Sequence, residues 1–205
     1  MTHLVVTGFG PFPQAPFNFS KLVVNELTLD HPSVRLTRHI YDTEYAAVDR
    51  RVREIFDPAP PAAIIGFGIG HPDGIFVESL ARNNGTDPDE PDASGKKWDG
   101  PIDAAGPDTL PATLPLDLIY RRLFAGGHGI DLYDSDDAGG YVCNFAFFKT
   151  ALAAQRLGGD TAVGFFHLPG IAENDVGGAY ANALRKAVDT IVGTVADWIG
   201  PQAGV

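Results

Sequence analysis

Short apolar runs of strand length alternate along this chain with segments of helical period, and that alternation constrains the fold more than any other feature. His3 to Thr7, Val34 to Ile40, Ala62 to Gly66, Ile75 to Ala81, Ile130 to Tyr133 and Thr161 to Leu168 read as strands. Between them, Leu22, Val23 and Leu27 recur at helical spacing behind Asn18 and Ser20, either of which can cap a helix. Tyr45, Val48, Val52 and Ile55 repeat the pattern until Asp57-Pro58 stops it, and Leu116 to Phe124 and Val176 to Ile199 carry it further. Strand–helix alternation of this kind predicts an α/β protein, a three-layer α/β/α sandwich around a twisted, largely parallel sheet. The 205 residues, 44% of them hydrophobic, fit a single domain spanning 1–205. Residues 83–108 are rich in Asp, Pro, Gly and Asn and predict a flexible excursion or lid rather than a domain boundary.

Charge and cysteine count narrow the function classes. A net charge of -11 without a basic cluster argues against a nucleic-acid partner. No apolar stretch approaches the length needed to cross a bilayer, and Met1-Thr-His-Leu-Val-Val lacks the pattern of a signal peptide. A cytoplasmic location is expected on that absence of secretion signals, and a single cysteine, which forms no internal disulfide, agrees with it. A lone cysteine and six scattered histidines show no metal-ligand spacing, and a zinc site is not expected. Gly66-Phe-Gly-Ile-Gly70 departs from a dinucleotide fingerprint in its spacing, and His71-Pro72-Asp73-Gly74 follows where a helix should open. A tight turn at a strand end, beside a pocket, is the expectation there.

The chemistry concentrates around the single cysteine. Phe145, Phe148, Ala151 and Leu152 start a helical pattern directly after Cys143, and Ala138-Gly139-Gly140 precedes it with backbone that turns sharply. Cys143 is therefore expected at a helix N-terminus, where partial positive charge and free N–H groups favour an adjacent anion. Two readings remain open on this stretch alone: a nucleophile, or a small buried hydrophobe. A nucleophilic cysteine needs a base, and His167, ending the strand after the cysteine helix, is the best placed of the histidines. Glu78 lies among apolar neighbours, which is costly unless the residue is exposed or partnered. Phe9, Phe12 and Phe17 sit on a Gly/Pro-rich loop, where they either pack beneath it or wall a pocket.

Several motifs, taken in order, resemble the pyroglutamyl peptidase I (pyrrolidone-carboxylate peptidase) family across essentially the whole chain. They are Thr7-Gly-Phe-Gly-Pro-Phe12 with Asn18; Gly66-Phe-Gly-Ile-Gly70 with Glu78 and Asn83; Pro101-Ile102, Gly106-Pro107 and Ala112-Thr-Leu-Pro115; Asp137-Ala-Gly-Gly-Tyr-Val-Cys143-Asn144; and Gly164-Phe-Phe-His167-Leu-Pro169. The resemblance implies a cofactor-free cysteine exopeptidase that hydrolyses the amide bond after an N-terminal pyroglutamyl residue of peptides. It implies Cys143, His167 and Glu78 as catalytic triad, and Phe9, Phe12, Asn18, Phe67 and Val142 around the substrate. It also implies a homo-oligomer, a tetramer or dimer. Departures gather on the substrate side. Pro13-Gln14 replaces a usual Gly-Gly, Phe67 a usual glutamine, Ile69-Gly70-His71 a Gly-Gly-Arg, and Ser79 an arginine. These departures keep two alternatives in view: a cysteine hydrolase for another acyl group, and a non-catalytic binding protein on the same fold.

Overall fold

The computed structural model describes residues 1–71, 73–85 and 90–201. The elements follow in the order β1 (Thr2–Phe9), α1 (Phe19–Glu26), β2 (Val34–Tyr41), α2 (Tyr45–Phe56), β3 (Ala63–Ile69), β4 (Ile75–Glu78), β5 (Leu80–Arg82), β6 (Thr109–Pro111), α3 (Leu116–Gly126), β7 (Leu132–Ser135), α4 (Val142–Arg156), β8 (Ala162–Leu168) and α5 (Ala179–Ile199). Six strands form one sheet in the order β2-β1-β3-β8-β4-β7, and β5 pairs with β6 in a small separate ribbon. All neighbours in the large sheet run parallel except β4, which is antiparallel to β8.

Strand periodicity assigns residues to the two faces. Leu4 and Val6, Ile65 and Phe67, and Phe166 and Leu168 pack with α1, α3 and α5 in one core layer. Val5, Ile64, Val163 and Phe165 pack with α2 and α4 in the other. This is the three-layer sandwich expected from the sequence, and its sheet is largely parallel. The same alternation decides the site: once Phe165 faces α4, His167 two residues on must face α4 as well.

Three local expectations are corrected. The Gly66 to Gly70 run is not a turn at its start, because β3 continues through it to Ile69. Gly66 is in register with Phe165 and Gly68 with His167. Side chains at either glycine would collide with the groups standing over them, the Phe165 ring for Gly66 and the Cys143 thiol for Gly68. The glycines thus serve close packing rather than chain reversal. The apolar run from Ile75 to Ala81 splits into β4 and β5, which belong to different sheets. The break is at Ser79, whose N–H and hydroxyl both donate to the Ser135 carbonyl (2.7 and 2.8 Å). The last helix starts at Ala179 rather than Val176 because a 3-10 turn occupies Glu173–Asp175 and Gly178, at the helix cap, is extended.

Within the 83–108 segment, residues 86–89 lie outside the described residues. Its described part is anchored at several points. The Asp92 carboxylate accepts from the N–H groups of Tyr45, Ser94 and Lys96 and from the Ser94 hydroxyl. Trp98 packs against the rings of Tyr45 and Phe145. The Asn83 amide group brackets Asp103, donating to its carbonyl and accepting from its N–H (both 2.9 Å).

Candidate active site

Cys143 is the second residue of α4, and the helix cap is Tyr141, whose side chain makes no capping hydrogen bond. The first N–H groups of any helix lack intrahelical acceptors. Here the glycine-rich approach supplies no Ser, Thr, Asp or Asn at the cap to take them up. Cys143 is partly exposed, at the N-terminal end of a helix most of whose residues are buried.

His167 stands near the C-terminal end of β8, on the face that α4 covers, and is 8% exposed. Its Nδ1 is 2.7 Å from Oε1 of Glu78, the last residue of β4. Glu78 is 1% exposed, so the sequence's open choice between an edge carboxylate in water and a partnered one resolves in favour of the partner. The antiparallel pairing of β4 with β8 is what delivers it. Glu78 is in register with Phe165 and therefore one pleat deeper than His167, on the same face. With Nδ1 engaged by the carboxylate, the opposite ring nitrogen is left for the thiol side.

Gly68 measures the closeness of the thiol and the imidazole. A Cβ placed on that glycine would lie 2.8 Å from Cys143 Sγ and 3.0 Å from His167 Cδ2. The two groups meet over a strip of bare backbone. Burial alone would lower the pKa of His167, but hydrogen bonds and charge from Cys143 and Glu78 outweigh it and raise the group from 6.5 to about 10. The arrangement favours the protonated imidazole, and it is suited to storing and moving a proton beside the thiol.

The remaining sequence-predicted residues occupy different places. Phe12 is on the loop after β1, half-buried, with its ring 5.7 Å from that of Tyr141. Phe9 is buried and packs on Tyr41 and Phe165 beneath the loop. Asn18 is buried and caps α1, accepting from the Ser20 N–H and hydroxyl, while its amide donates to the Gly10 carbonyl (3.1 Å). Val142 is fully buried in the α4 layer. Phe67 is fully buried on the opposite face of the sheet, stacked with Phe166. Its side chain is therefore separated from Cys143 by the sheet itself.

Two residues of the cysteine motif to which the sequence assigned no role also pack around the start of α4. Asn144 is fully buried, and its amide group accepts from the Arg82 N–H (2.9 Å) and donates to the carbonyls of Arg82 (2.9 Å) and Asn84 (3.0 Å). It ties the start of α4 to the chain leaving β4 and β5. Tyr141 donates its hydroxyl to the Pro91 carbonyl (3.1 Å) and sets its ring between Phe12 and Tyr45. The signal for Asn144 was available, since a polar side chain in the apolar first turn of a helix needs a partner. No cluster of His, Cys, Asp or Glu able to hold a metal occurs among the described residues.

A family model described as pyroglutamyl peptidase matches residues 2–199. The pyrrolidone-carboxylate peptidase of Pseudomonas fluorescens (strain SBW25) is 33% identical over 202 residues, spanning 94% of this chain and 88% of the relative. That of Cupriavidus necator is 30% identical over 210 residues, 96% of each chain. The crystal structure of pyroglutamyl peptidase I from Bacillus amyloliquefaciens superposes with a TM-score of 0.85, covering 99% of both chains at 24% identity, which is a likeness of fold.

Proposed function

This chain belongs to the pyroglutamyl peptidase family, and we propose that Cys143, His167 and Glu78 are the machinery with which it removes an N-terminal pyroglutamyl residue from peptides. The observation that carries the proposal is the bare backbone of Gly68, over which the only cysteine and a Glu-held histidine converge. A structural cysteine needs no such neighbours, and a buried glutamate is costly without a function for its charge.

In this reading the three residues divide the chemistry between them. His167 holds the proton given up by Cys143, and the thiolate attacks the carbonyl carbon that links the lactam to the next residue. N–H groups in the first turn of α4 take the oxyanion of the tetrahedral intermediate. His167 then passes its proton to the leaving nitrogen, the C–N bond breaks, and a pyroglutamyl thioester remains on Cys143. Water, losing a proton to His167, attacks the thioester and restores the thiol. Throughout, Glu78 keeps the imidazole oriented and favours its cationic form.

The lactam is uncharged and compact, which suits an apolar slot with few hydrogen bonds. Phe12 and Tyr141 supply the aromatic wall nearest the helix N-terminus. Phe9 and Val142 form its buried backing, and Asn18 acts by fixing the loop that carries Phe12. Phe67 contributes through its backbone, since its side chain faces the other layer. No helix among the described residues is long and apolar enough to cross a membrane, and an acidic chain without a basic cluster fits a peptide substrate better than nucleic acid. A cytoplasmic location and assembly as a tetramer or dimer complete the reading.

The test compares amine release from a pyroglutamyl-amide reporter with release from prolyl and alanyl reporters that carry a free amine. Turnover of the pyroglutamyl reporter alone is expected. Preference for another acyl group would move the chain to the altered-specificity alternative.

A further inference from the structure

Three stacked rings line the sheet on the side of His167 away from the Phe12 loop. His71 lies on Phe76 with ring centroids 4.1 Å apart and planes at 28°, and Phe76 lies on Tyr133 at 4.8 Å and 26°. Strand register explains their position. Phe76 is paired directly with His167 across β4 and β8, and with Tyr133 across β4 and β7, so all three share one row and one face. His71 follows Gly70, and a Cβ on Gly70 would lie 3.1 Å from Cβ and Cγ of His167. The stack therefore begins beside the proton-carrying imidazole and runs outward to the sheet edge. Its members are not core residues: His71 is exposed, Phe76 is half-buried and Tyr133 is 39% exposed.

The stack is also supported. Gly74, at φ 70°, is the position against which the Tyr133 ring packs, and any side chain there would strike that ring. The Gly74 N–H donates to the Tyr180 hydroxyl (3.1 Å), which pins the chain between β3 and β4 to α5. A solvent-facing aromatic ladder held this way is preorganised surface.

Mechanistic geometry says what meets it. The leaving nitrogen must come within hydrogen-bond reach of His167 to receive its proton. The residue attached to that nitrogen then departs on the His167 side, away from the Phe12 and Tyr141 wall. Strands are spaced about 4.8 Å apart, so Phe76 and Tyr133 lie roughly 5 and 10 Å from His167, within reach of one extended residue and a long side chain. We propose that the His71–Phe76–Tyr133 stack is the leaving-side subsite, selecting peptides whose residue after pyroglutamate is aromatic. This rests on the peptidase reading above.

The experiment compares kcat/KM for pyroglutamyl-phenylalanine amide and pyroglutamyl-alanine amide in wild type, His71→Ala, His71→Phe and Tyr133→Ala. Wild type should favour the phenylalanine amide by roughly three- to tenfold. His71→Ala should bring the ratio close to one, Tyr133→Ala should lower it by a smaller factor, and His71→Phe should keep it. The ratio cancels any general loss of folded enzyme, and retention in His71→Phe separates ring stacking from the charge of histidine. A wild-type ratio near one, or an equal ratio in all four proteins, would overturn the subsite while leaving the peptidase reading intact. If wild type cleaved neither amide, the peptidase reading would fall and the subsite with it.

Discussion

The rim at the end of β8 and the loop after β1 hold their side chains by different means. At the rim, three polar groups from three elements converge. Cys143 comes from the start of α4, His167 from β8 and Glu78 from β4, and strand register brings the last two to 2.7 Å. In the loop, position depends on a few local bonds. Asn18 and Thr43 both donate to the Gly10 carbonyl, and the Ser20 hydroxyl takes up the Phe9 N–H (3.1 Å). Phe9 is sunk in the core while Phe12, three residues later, stays half-buried against Tyr141. A site whose chemistry sits on strands and a helix start has little freedom to drift. A pocket wall carried on a loop can be remodelled without disturbing that chemistry.

Substitutions at the rim should sharpen this contrast by abolishing chemistry while sparing the fold. Cys143→Ala is expected to lower kcat by about 10⁴-fold or more, with little change in thermal stability because the thiol is partly exposed. Glu78→Gln should cost less, roughly 10²- to 10³-fold, since it removes orientation and charge but leaves the nucleophile. It should also lower the pKa of His167, so the alkaline limb of the kcat/KM profile moves to lower pH. The sign for stability follows from the same shift. Because His167 is raised from 6.5 to about 10 in the folded protein, its pairing contributes stability fully below about pH 6.5 and loses it as pH rises towards 10. Melting temperatures should therefore show the advantage of wild type over Glu78→Gln shrinking between pH 7 and 10. An unchanged rate in Glu78→Gln would remove that residue from the triad.

Two glycines of β3 offer a finer comparison, because they share a face and differ in what stands over them. Gly68→Ala pushes a methyl group between Sγ and the imidazole and should cut kcat by about 10²-fold, as small displacements of reacting groups do. Gly66→Ala runs first into the Phe165 ring, and should cost about 1–3 kcal/mol of stability through overpacking. Chemical denaturation and steady-state kinetics on the two variants would separate these effects. Equal loss of kcat in both would mean that β3 supports the site as a whole and not at one point.

The loop should respond more weakly. Asn18→Ala removes the cap of α1 and one donor to Gly10, and should cost about 1–2 kcal/mol in an unfolding titration. Its kinetic effect should fall on KM, through the Phe12 loop, more than on kcat. A loss of kcat as large as that of Gly68→Ala would erase the distinction between loop and rim.

The same distinction explains what could be read from the amino-acid order. The sandwich was legible because apolar runs of strand length and helical repeats follow period rules that packing then obeys. The N-terminal placement of Cys143 on α4 was legible because a glycine-rich approach meets a helical repeat there. Glu78 was ambiguous, because burial of a strand-end carboxylate depends on a pairing with β8 that spans 89 positions in sequence. The β3 glycines were read as a turn because glycine in sequence signals both reversal and close approach, and only the facing residues tell these apart. Nothing in the sequence separates Phe9, which ends β1 and packs in the core, from Phe12, which lies on the loop half-buried against Tyr141. Phe67 fell on the far face of the sheet because β3 extends further than expected, and a strand's period of two then fixes its side.

Covalent chemistry at the Cys143 sulfur is open to direct measurement. Acid-quenching the enzyme during turnover of a pyroglutamyl amide, followed by mass spectrometry of its peptides, should find a pyroglutamyl adduct on the peptide carrying Cys143 and on no other. The adduct should be missing from Cys143→Ala, which should also be inactive. Turnover by Cys143→Ala, or an adduct on a different residue, would contradict the assignment of Cys143 as nucleophile.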